Sequence, residues 1–374
     1  MQLVVKKESL SQLLYLTNTI VERRNTMPIL ANVKLTADEK SLHVTATDLE
    51  VSLVGSTAAE VTTPGTITVS AKFLYDIVRE LPTDTVQLKS SKAERLEVEA
   101  GKSHFKVNGI SSDEFPTVMG INLTQPVSVE AQKLFEMLDK TAYAVSLDET
   151  RYNINGVYAE VVDRAGGDKG KKAIRFVATD GHRLALIDRP AEGLNLEKVI
   201  IPRKGINELK KVLENNEGAA LVSTANGFFT VQSNGVTIGI RLIDGEFPDY
   251  RQVLPKEKKT EVRVGRSEFL STVKRVSLVT TDKSRSIKFR LSDKTLTVSS
   301  SSPEYGEAIE SIPVDQDGED VTIGFSARYV LDAVAAMGSA ETVIIRLNGE
   351  LGPGVFLGDS DEEYQCVIMP MRFD

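Results

Sequence analysis

The tripeptide Ala46-Thr47-Asp48 returns as Ala178-Thr179-Asp180, so that position 48 corresponds to position 180, an offset of 132 residues. The tripeptide Glu114-Phe115-Pro116 returns at the same offset as Glu246-Phe247-Pro248. Landmarks that recur at one spacing, near a third of the 374 residues, indicate an internal repeat. This repeat decides how the chain is organised.

A third landmark extends the pattern to three copies. Val69-Ser70-Ala71-Lys72 matches Ile201-Pro202-Arg203-Lys204 at the offset of 132 and, more faintly, Phe325-Ser326-Ala327-Arg328 at an offset of 256. Met369-Pro370 stands where a third copy of Phe115-Pro116 would fall. Like modules with equivalent interfaces favour a curved or closed assembly over a single catalytic cleft. The predicted domains are residues 1–123, 124–255 and 256–374.

Composition narrows the class of protein. With 41% hydrophobic and 26% charged residues, the chain is typical of a soluble globular protein. No apolar run approaches the roughly 20 residues that a membrane span needs, and the N-terminus shows no signal-peptide pattern. A single cysteine, Cys366, excludes an internal disulfide and fits a reducing cytoplasm. Three scattered histidines are too few for a histidine metal site, so we expect a cytoplasmic protein without metal or cofactor.

Each repeat contains two amphipathic helical patterns among short alternating segments. The alternation, as in Ser41–Thr45 and Lys294–Val298, is typical of strands that bury one face. These patterns predict an α+β fold in which each module packs two helices on an antiparallel sheet. Ser9 is predicted to cap the first helix, and the glycine-containing segments 162–172 and 349–354 are interpreted as hairpin loops. The predicted helices are Leu10–Ile20, Lys72–Leu81, Ala131–Val145, Lys204–Leu213, Ser267–Val279 and Ala327–Met337.

The net charge of −8 argues at first against nucleic acid as a partner. That argument fails if positive charge is confined to one surface, because a local field depends on where the charges lie. Basic residues do cluster on the helices, as in 203–211, whereas segments 315–320 and 359–363 are acidic. A solvated helix face explains any single cluster, and six helices with the same tendency favour a basic surface.

Four motifs carry a resemblance to a known family. In matching order from Met1 to Arg372, the chain resembles the bacterial DNA polymerase III beta subunits, the replication sliding clamps. The motifs that carry the resemblance are Thr179-Asp180-Gly181-His182-Arg183-Leu184, Ile201-Pro202-Arg203-Lys204-Gly205, Phe247-Pro248-Asp249-Tyr250-Arg251 and Val367-Ile368-Met369-Pro370-Met371-Arg372.

The resemblance implies a head-to-tail homodimer that closes a ring of six similar domains around duplex DNA. Helices would line the hole, and the ring would tether the replicative DNA polymerase through its alpha subunit. It implies a protein that is not an enzyme, since the clamp loader that opens the ring supplies the ATPase. A ring that slides must attract phosphate without reading base edges, and Lys and Arg side chains facing the backbone do this.

The resemblance, together with the distribution of charged residues, predicts three sets of site residues. A hydrophobic pocket for short linear motifs of partner proteins would comprise Arg151, Ile154, Thr179, Gly181, His182, Arg183, Leu184, Pro248, Val253, Val367 and Met369. The residues expected to attract DNA are Arg24, Lys72, Tyr152, Asn153, Arg203 and Lys204. The residues expected at the dimer interface are Phe105, Lys102, Lys106, Leu278, Val279, Glu304 and Glu307, with Arg95 and Glu310 beside them.

Two positions depart from the family pattern, and two other functions stay open. Gln252 stands where clamps often carry Arg, and Ser284 stands where an aromatic residue can occur, which affects motif preference. A hydrolase or transferase would use Asp180 to orient His182 as a base. The sequence contains no Gly-x-Ser-x-Gly elbow to supply the nucleophile. A structural or toxin-resistant relative of the clamp, with an altered pocket, is the third alternative.

Overall fold

The computed structural model describes residues 1–21, 27–91, 94–164, 171–191, 196–255, 257–280 and 286–372. Within these ranges the chain forms an α+β fold, and every strand pair with a described register is antiparallel. The helices are α1 (Lys7–Ile20), α2 (Ala71–Glu80), α3 (Ala131–Ala142), α4 (Arg203–Leu213), α5 (Arg266–Val276) and α6 (Ala327–Ala336).

The strands follow in chain order. Those of the first third are β1 (Gln2–Lys6), β2 (Asn32–Asp38), β3 (Ser41–Thr47), β4 (Val51–Thr63), β5 (Gly65–Ser70), β6 (Thr85–Ser91), β7 (Arg95–Ala100) and β8 (Ser103–Ile110). Those of the middle third are β9 (Val127–Glu130), β10 (Gly156–Asp163), β11 (Lys172–Thr179), β12 (Arg183–Pro190), β13 (Val199–Pro202), β14 (Ala219–Ala225), β15 (Phe228–Ser233) and β16 (Val236–Arg241). Those of the last third are β17 (Thr260–Gly265), β18 (Ser286–Ser292), β19 (Thr295–Ser302), β20 (Gly306–Pro313), β21 (Asp315–Gly318), β22 (Val321–Ser326), β23 (Thr342–Leu347), β24 (Gly354–Gly358) and β25 (Asp361–Ile368).

The α+β class predicted from periodicity is confirmed, and α2 to α6 begin within one residue of their predicted starts. Helix α3 ends at Ala142, three residues before the predicted end, and α5 gives way to a 3-10 turn, Ser277–Val279. Segment 349–354 joins the antiparallel strands β23 and β24, as a hairpin loop should. The other predicted hairpin tip lies partly outside the described residues, because 165–170 are not described.

The predicted helix cap at Ser9 is wrong. Helix α1 begins at Lys7, directly after β1, and its N-cap Lys6 makes no side-chain capping bond. The Lys7 amide instead donates to the Asp84 carbonyl at 2.8 Å. Because a distant loop satisfies this early amide, the helix starts two residues before the Ser that local chemistry favours.

The described chain divides into two compact units, Met1–Phe135 with Ile201–Leu242, and Glu136–Ile200 with Ile243–Asp374. The first unit contains one sheet of the order β1-β6-β7-β8-β5-β2-β3-β4-β16-β15-β14-β9. The second contains a sheet of the order β13-β10-β11-β12-β25-β24-β23-β17-β21 and a smaller sheet, β20-β19-β18-β22.

Strand pairing between repeats explains why the units do not coincide with the repeats. In the first unit, β4 of repeat one pairs with β16 of repeat two, with Leu53 opposite Ile238. In the second unit, β12 of repeat two pairs with β25 of repeat three, with Leu184 opposite Val367. Each sheet therefore continues across a repeat boundary, and buried apolar residues line both continuations.

A buried carboxylate in the second unit gives the fold a testable dependence on pH. Glu261 on β17 lies 2.7 Å from Lys258 Nζ, 2.9 Å from Arg346 Nε and 3.0 Å from Arg263 Nη2. The hydrogen bond from Lys258, followed by that from Arg346, lowers the pKa of Glu261 from 4.5 to about 2. A carboxyl with a lower pKa in the folded chain stabilises the fold above its unfolded pKa. That stabilisation is lost as the pH falls from 4.5 towards 2.

Glu261→Gln is therefore expected to destabilise the chain near pH 7 by about 1.5–3 kcal/mol, because charge-assisted hydrogen bonds are lost. The difference from the unmodified protein should shrink as the pH falls below 4.5. Thermal melting between pH 7 and pH 3 measures both effects. Glu350→Gln, on the exposed loop after β23, is the control and should leave the melting curves unchanged. A constant difference between the Glu261→Gln and unmodified curves at every pH would contradict the assignment.

Candidate functional site

The turn that joins β11 to β12 has the same hydrogen bonds as the turn between β3 and β4. Asp180 Oδ1 accepts from the amides of His182 and Arg183 at 2.9 and 3.0 Å. Asp48 Oδ1 accepts from the amides of Glu50 and Val51 at 2.9 and 2.7 Å. The Thr-Asp pair of the repeat is thus a turn device, because a short acidic side chain closes the turn on its own backbone.

One of the differences between the two turns, glycine in place of leucine, opens space in repeat two. Gly181 has φ of +89°, a region that favours glycine, whereas Leu49 holds the corresponding conformation with φ of +79° in repeat one. A Cβ on Gly181 would lie 2.8 Å from Arg151 Nη2. The Arg151 guanidinium therefore lies directly over the turn, and its Nη1 donates to the Asp180 carbonyl at 2.9 Å.

Beside this turn lies a cavity of about 170 Å³. The cavity is lined by residues in or beside the 3-10 turn Tyr152–Ile154, the β11–β12 turn, the 3-10 turn Tyr250–Gln252 and the end of β25. Its lining residues are Arg151, Ile154, Thr179, Gly181, Arg183, Leu184, Pro248, Asp249, Tyr250, Val253, Val367 and Met369. Ten of the eleven residues expected for the motif pocket are among them, so residues far apart in the chain meet at one place.

The cavity has an apolar floor and apolar side chains at its mouth. Leu184 and Val367 are 3% and 1% exposed and pair across β12 and β25. Val253 and Met369 are 38% and 37% exposed, which is high for apolar side chains. The Met369 amide donates to the His182 carbonyl at 2.9 Å and so fixes the chain at the mouth. Such a site offers buried contact to apolar side chains of a ligand.

His182 is the predicted pocket residue that does not line the cavity; it is exposed on the turn beside it. Arg183 does line the cavity, but each of its three guanidinium nitrogens donates inside the chain. Nε binds Asp180 at 3.1 Å, Nη1 binds Asp332 at 2.5 Å, and Nη2 binds the Tyr143 carbonyl at 2.6 Å. Arg183 is therefore part of the wall and holds α6 of repeat three against the turn of repeat two.

Two lining residues, Asp249 and Tyr250, were not among those expected. Tyr250 is 4% exposed and belongs to the apolar cluster that includes Leu184 and Val367. Asp249 Oδ1 accepts from the Arg251 amide at 3.3 Å, and its Oδ2 accepts from Gln252 Nε2 at 3.2 Å. Both residues lie within the Phe247–Arg251 motif, so that motif could have identified them as pocket residues. Gln252 is held on Asp249, and Ser284 lies outside the described residues.

The geometry disfavours the catalytic use of Asp180 and His182. Asp180 Oδ1 is occupied by two backbone amides and Oδ2 by Arg183 Nε. The carboxylate thus closes the turn and orients Arg183.

Among the described residues, no group of His, Cys, Asp and Glu side chains converges to hold a metal ion. In the same part of the chain, no helix has the length and apolarity to cross a membrane.

The residues expected to attract DNA have different surroundings. Lys72 and Arg203 are exposed near the starts of α2 and α4 in the first unit. Lys204 Nζ lies 2.5 Å from the carboxylate of Asp48, so its charge is paired within the chain. In the second unit, Tyr152 is 59% exposed and Asn153 Nδ2 donates to the Glu246 carbonyl at 3.2 Å. Arg24 lies outside the described residues.

The residues expected at a dimer interface lie on or near β8, on the 3-10 turn Ser277–Val279 and on or near β20. Phe105 is 39% exposed on β8, whose residues 103–108 pair with β7 among the described strands. Strand β20, which carries Glu307, is the margin of the smaller sheet, and Glu304 precedes it. Leu278 is 79% exposed.

Part of the charge expected at the interface is paired within the chain, since Lys106 lies 3.6 Å from Glu97 and Glu310 binds Arg275. Lys102 is also exposed, whereas Val279 is half-buried.

Comparison with known proteins covers the whole chain. Family models of the DNA polymerase III beta subunit match residues 1–119 (N-terminal domain), 128–249 (central domain) and 251–372 (C-terminal domain). The chain is 34% identical to the beta sliding clamps of Caulobacter vibrioides and Pseudomonas aeruginosa and 30% identical to that of Bacillus subtilis, with 100% of each chain covered.

Solved structures give the same result. A Caulobacter crescentus pol III beta structure superposes with a TM-score of 0.92 at 34% identity, covering 100% of both chains. A sliding clamp from Bartonella birtlesii bound to griselimycin superposes with a TM-score of 0.94 at 32% identity, again over 100% of both chains.

Proposed function

Because the chain belongs to the DNA polymerase III beta subunit family, and so is a non-catalytic sliding clamp of DNA replication, we propose that two copies close into a ring around duplex DNA. The ring tethers the replicative polymerase by a linear motif that docks in the cavity described above. The clamp loader and other motif-bearing replication and repair proteins use the same pocket. The domains are residues 1–123, 124–255 and 256–374, and the protein works in the cytoplasm.

The observation that carries this proposal is the composition of the cavity. Ten residues expected for the pocket line one space with a buried apolar floor and exposed apolar side chains at its mouth. A short peptide with Leu and Phe anchors fits such chemistry, since a few buried apolar side chains provide most of the binding energy in small interfaces. Arg151 and His182 would meet polar atoms of the peptide. Calorimetric titration with the peptide Gln-Leu-Ala-Leu-Phe tests the proposal, and absence of binding would refute it.

Ring closure is proposed through β8 of one copy and β20 of the other. Strand β20 is the edge of its sheet, whereas residues 103–108 of β8 pair with β7 on one side and only Gly109 and Ile110 pair with β5 on the other. Strands with an unpaired edge readily pair with another chain. Lys102 and Lys106 lie on or near one strand, whereas Glu304 and Glu307 lie on or near the other. Opposite charges on the two ends favour head-to-tail pairing and penalise like ends.

DNA attraction is proposed to come from the helices. Helices α2 and α4 bury one face each, and Lys72 and Arg203 stand on the exposed side. Arg24, Lys204, Tyr152 and Asn153 complete the proposed set. Lys204 contributes less charge, because it is paired with Asp48. Such contacts act by counterion release and carry no base sequence information.

Changing Lys72 and Arg203 together to Ala is expected to reduce the salt dependence of DNA binding. Each lost phosphate contact lowers the log–log slope by about 0.9, so the double variant should lose up to about twice that value. Binding of the dimer to linear duplex DNA, onto whose ends a closed ring can thread, between 50 and 200 mM salt measures the slope.

Lys89→Ala with Arg290→Ala is the matched control, because both side chains are exposed on strands whose neighbouring residues point into the core. This control removes the same formal charge from sheet faces, and its slope should stay near that of the unmodified protein. Equal slopes for the helix variant and the unmodified protein would show that Lys72 and Arg203 do not face DNA.

A further inference from the structure

A buried carboxylate, that of Glu160, stands behind one wall of the cavity. Glu160 lies on β10, its side chain is 3% exposed, and it does not line the cavity itself. Its Oε1 accepts from Tyr250 Oη at 2.6 Å and from Arg251 Nη2 at 2.9 Å. Its Oε2 accepts from Arg251 Nη2 at 3.2 Å and from Tyr158 Oη at 3.3 Å. Tyr250 and Arg251, two consecutive residues of the turn Tyr250–Gln252, therefore both donate to the same carboxylate.

A second ion pair completes the support of Tyr250. Arg175 Nη1 donates to Tyr250 Oη at 3.1 Å. Arg175 is itself held by Asp188 through two bonds, Nε to Oδ1 at 2.7 Å and Nη2 to Oδ2 at 2.6 Å. Burial raises the pKa of Tyr250, so its hydroxyl stays protonated and donates to Glu160. The two acidic and two basic side chains balance, as a buried charged group requires.

The turn so held carries much of the pocket wall. Asp249 and Tyr250 line the cavity, and Pro248 and Val253 line it on either side of them. The turn is a single 3-10 turn, with backbone bonds from Gln252 to Asp249 at 3.3 Å and from Val253 to Tyr250 at 3.2 Å. So short a turn has little stability of its own. Its position therefore depends on the side chains that tie it to the sheet.

We propose that Glu160 is a positioning residue for the peptide pocket, because it ties Tyr250 and Arg251 to β10 and so holds Pro248 and Val253 in place for an apolar anchor. The inference rests on the proposed function of the cavity and adds to it a residue outside the lining. It acts through the turn and makes no contact with the peptide.

Glu160→Gln tests the inference with little change in shape. The amide places a donor where Arg251 also donates, so the turn loses one of its two ties. We expect the peptide Gln-Leu-Ala-Leu-Phe, labelled with a dye, to bind about tenfold more weakly, within the range of couplings between contacting groups. Tyr250→Phe removes only the hydroxyl and keeps the ring in the cavity, and its affinity should fall by about threefold.

Glu261→Gln is the matched control for general destabilisation. Glu261 is likewise a buried carboxylate with basic partners in the same sheet, but it is not in the cavity. It should lower the melting temperature without changing peptide affinity. If Glu261→Gln weakened binding as much as Glu160→Gln, the effect would be general and the inference would be overturned.

A double-mutant cycle with Val253→Ala shows whether Glu160→Gln weakens peptide binding through the position of Val253 or by an unrelated route. If Glu160 acts by placing the wall, its removal should cost less in the Val253→Ala protein, because the contact it positions is already gone. Additive losses would overturn the inference, as would unchanged binding by both Glu160→Gln and Tyr250→Phe. Absence of peptide binding by the unmodified protein would instead refute the proposed function itself.

Discussion

Replacing Leu278 and Val279 together by Asp is expected to prevent the proposed dimer, so that the protein sediments as a monomer of about 40.9 kDa. Leu278 is 79% exposed and Val279 is half-buried in the single chain, and neither belongs to the buried core, so the fold should survive the substitution. In the proposed ring the side chains are covered by the partner, and two uncompensated carboxylates would be buried there. Burying each unpaired carboxylate costs several kcal/mol, and a ring contains two such interfaces, so the cost opposes closure at both. Sedimentation equilibrium measures the mass.

Leu351→Asp provides the control for this variant. Leu351 is 85% exposed on the loop between β23 and β24, so it resembles Leu278 in type and exposure while lying outside the proposed interface. The control should sediment as the unmodified protein does. A stable dimer of the Leu278→Asp, Val279→Asp protein would exclude these residues from the interface and with them the proposed mode of closure.

Met369→Ala is expected to weaken binding of the peptide Gln-Leu-Ala-Leu-Phe by about 1–3 kcal/mol, since a pocket anchor contact is lost. Met369 lines the mouth of the cavity and is 37% exposed, so its truncation should not disturb the core. Its amide keeps the bond to the His182 carbonyl, because the backbone is unchanged. The unbranched thioether also suits a mouth that accepts several partners, because it repacks easily. Calorimetry gives the affinity.

Met371→Ala is the matched control for the pocket. Met371 is 38% exposed, two residues further along, and it is not among the residues that line the cavity. Its amide bond to the Gly324 carbonyl also survives truncation. We expect unmodified affinity for Met371→Ala. Equal affinities for the two variants would mean that Met369 does not meet the anchor.

Much of the fold follows from local patterns that the sequence displays. The spacing of Leu74, Ile77 and Val78 predicts α2, and these residues are buried on one side of that helix. The Thr-Asp pairs at 47–48 and 179–180 mark the repeat in the sequence, and the hydrogen bonds of the two turns that they form agree. The start of α1 could not be predicted in this way, because a carbonyl from Asp84 satisfies its Lys7 amide.

The candidate site, like the fold, could be predicted from the sequence only in part. The resemblance pointed to ten of the lining residues, seven of which lie within the four motifs that carry it, and Asp249 and Tyr250 lie inside one of the same motifs. Nothing local distinguishes a solvent-facing Tyr250 from one that closes a cavity wall. The orientation of its ring depends on Glu160 and Arg175, which come from other strands.

By itself the sequence determined the three-fold repeat, the α+β class and the family, because these depend on periodicity and on motifs within short segments. Only the tertiary structure decided which charged side chains are available to bind a partner and which are paired or buried within the chain. Lys204 is paired with Asp48, Arg183 is committed to the wall, and Glu160 is buried behind it. The physical reason is that each pairing joins residues distant along the chain, 90 positions apart for Glu160 and Tyr250. Strand pairing and burial create such contacts, and no local pattern records them.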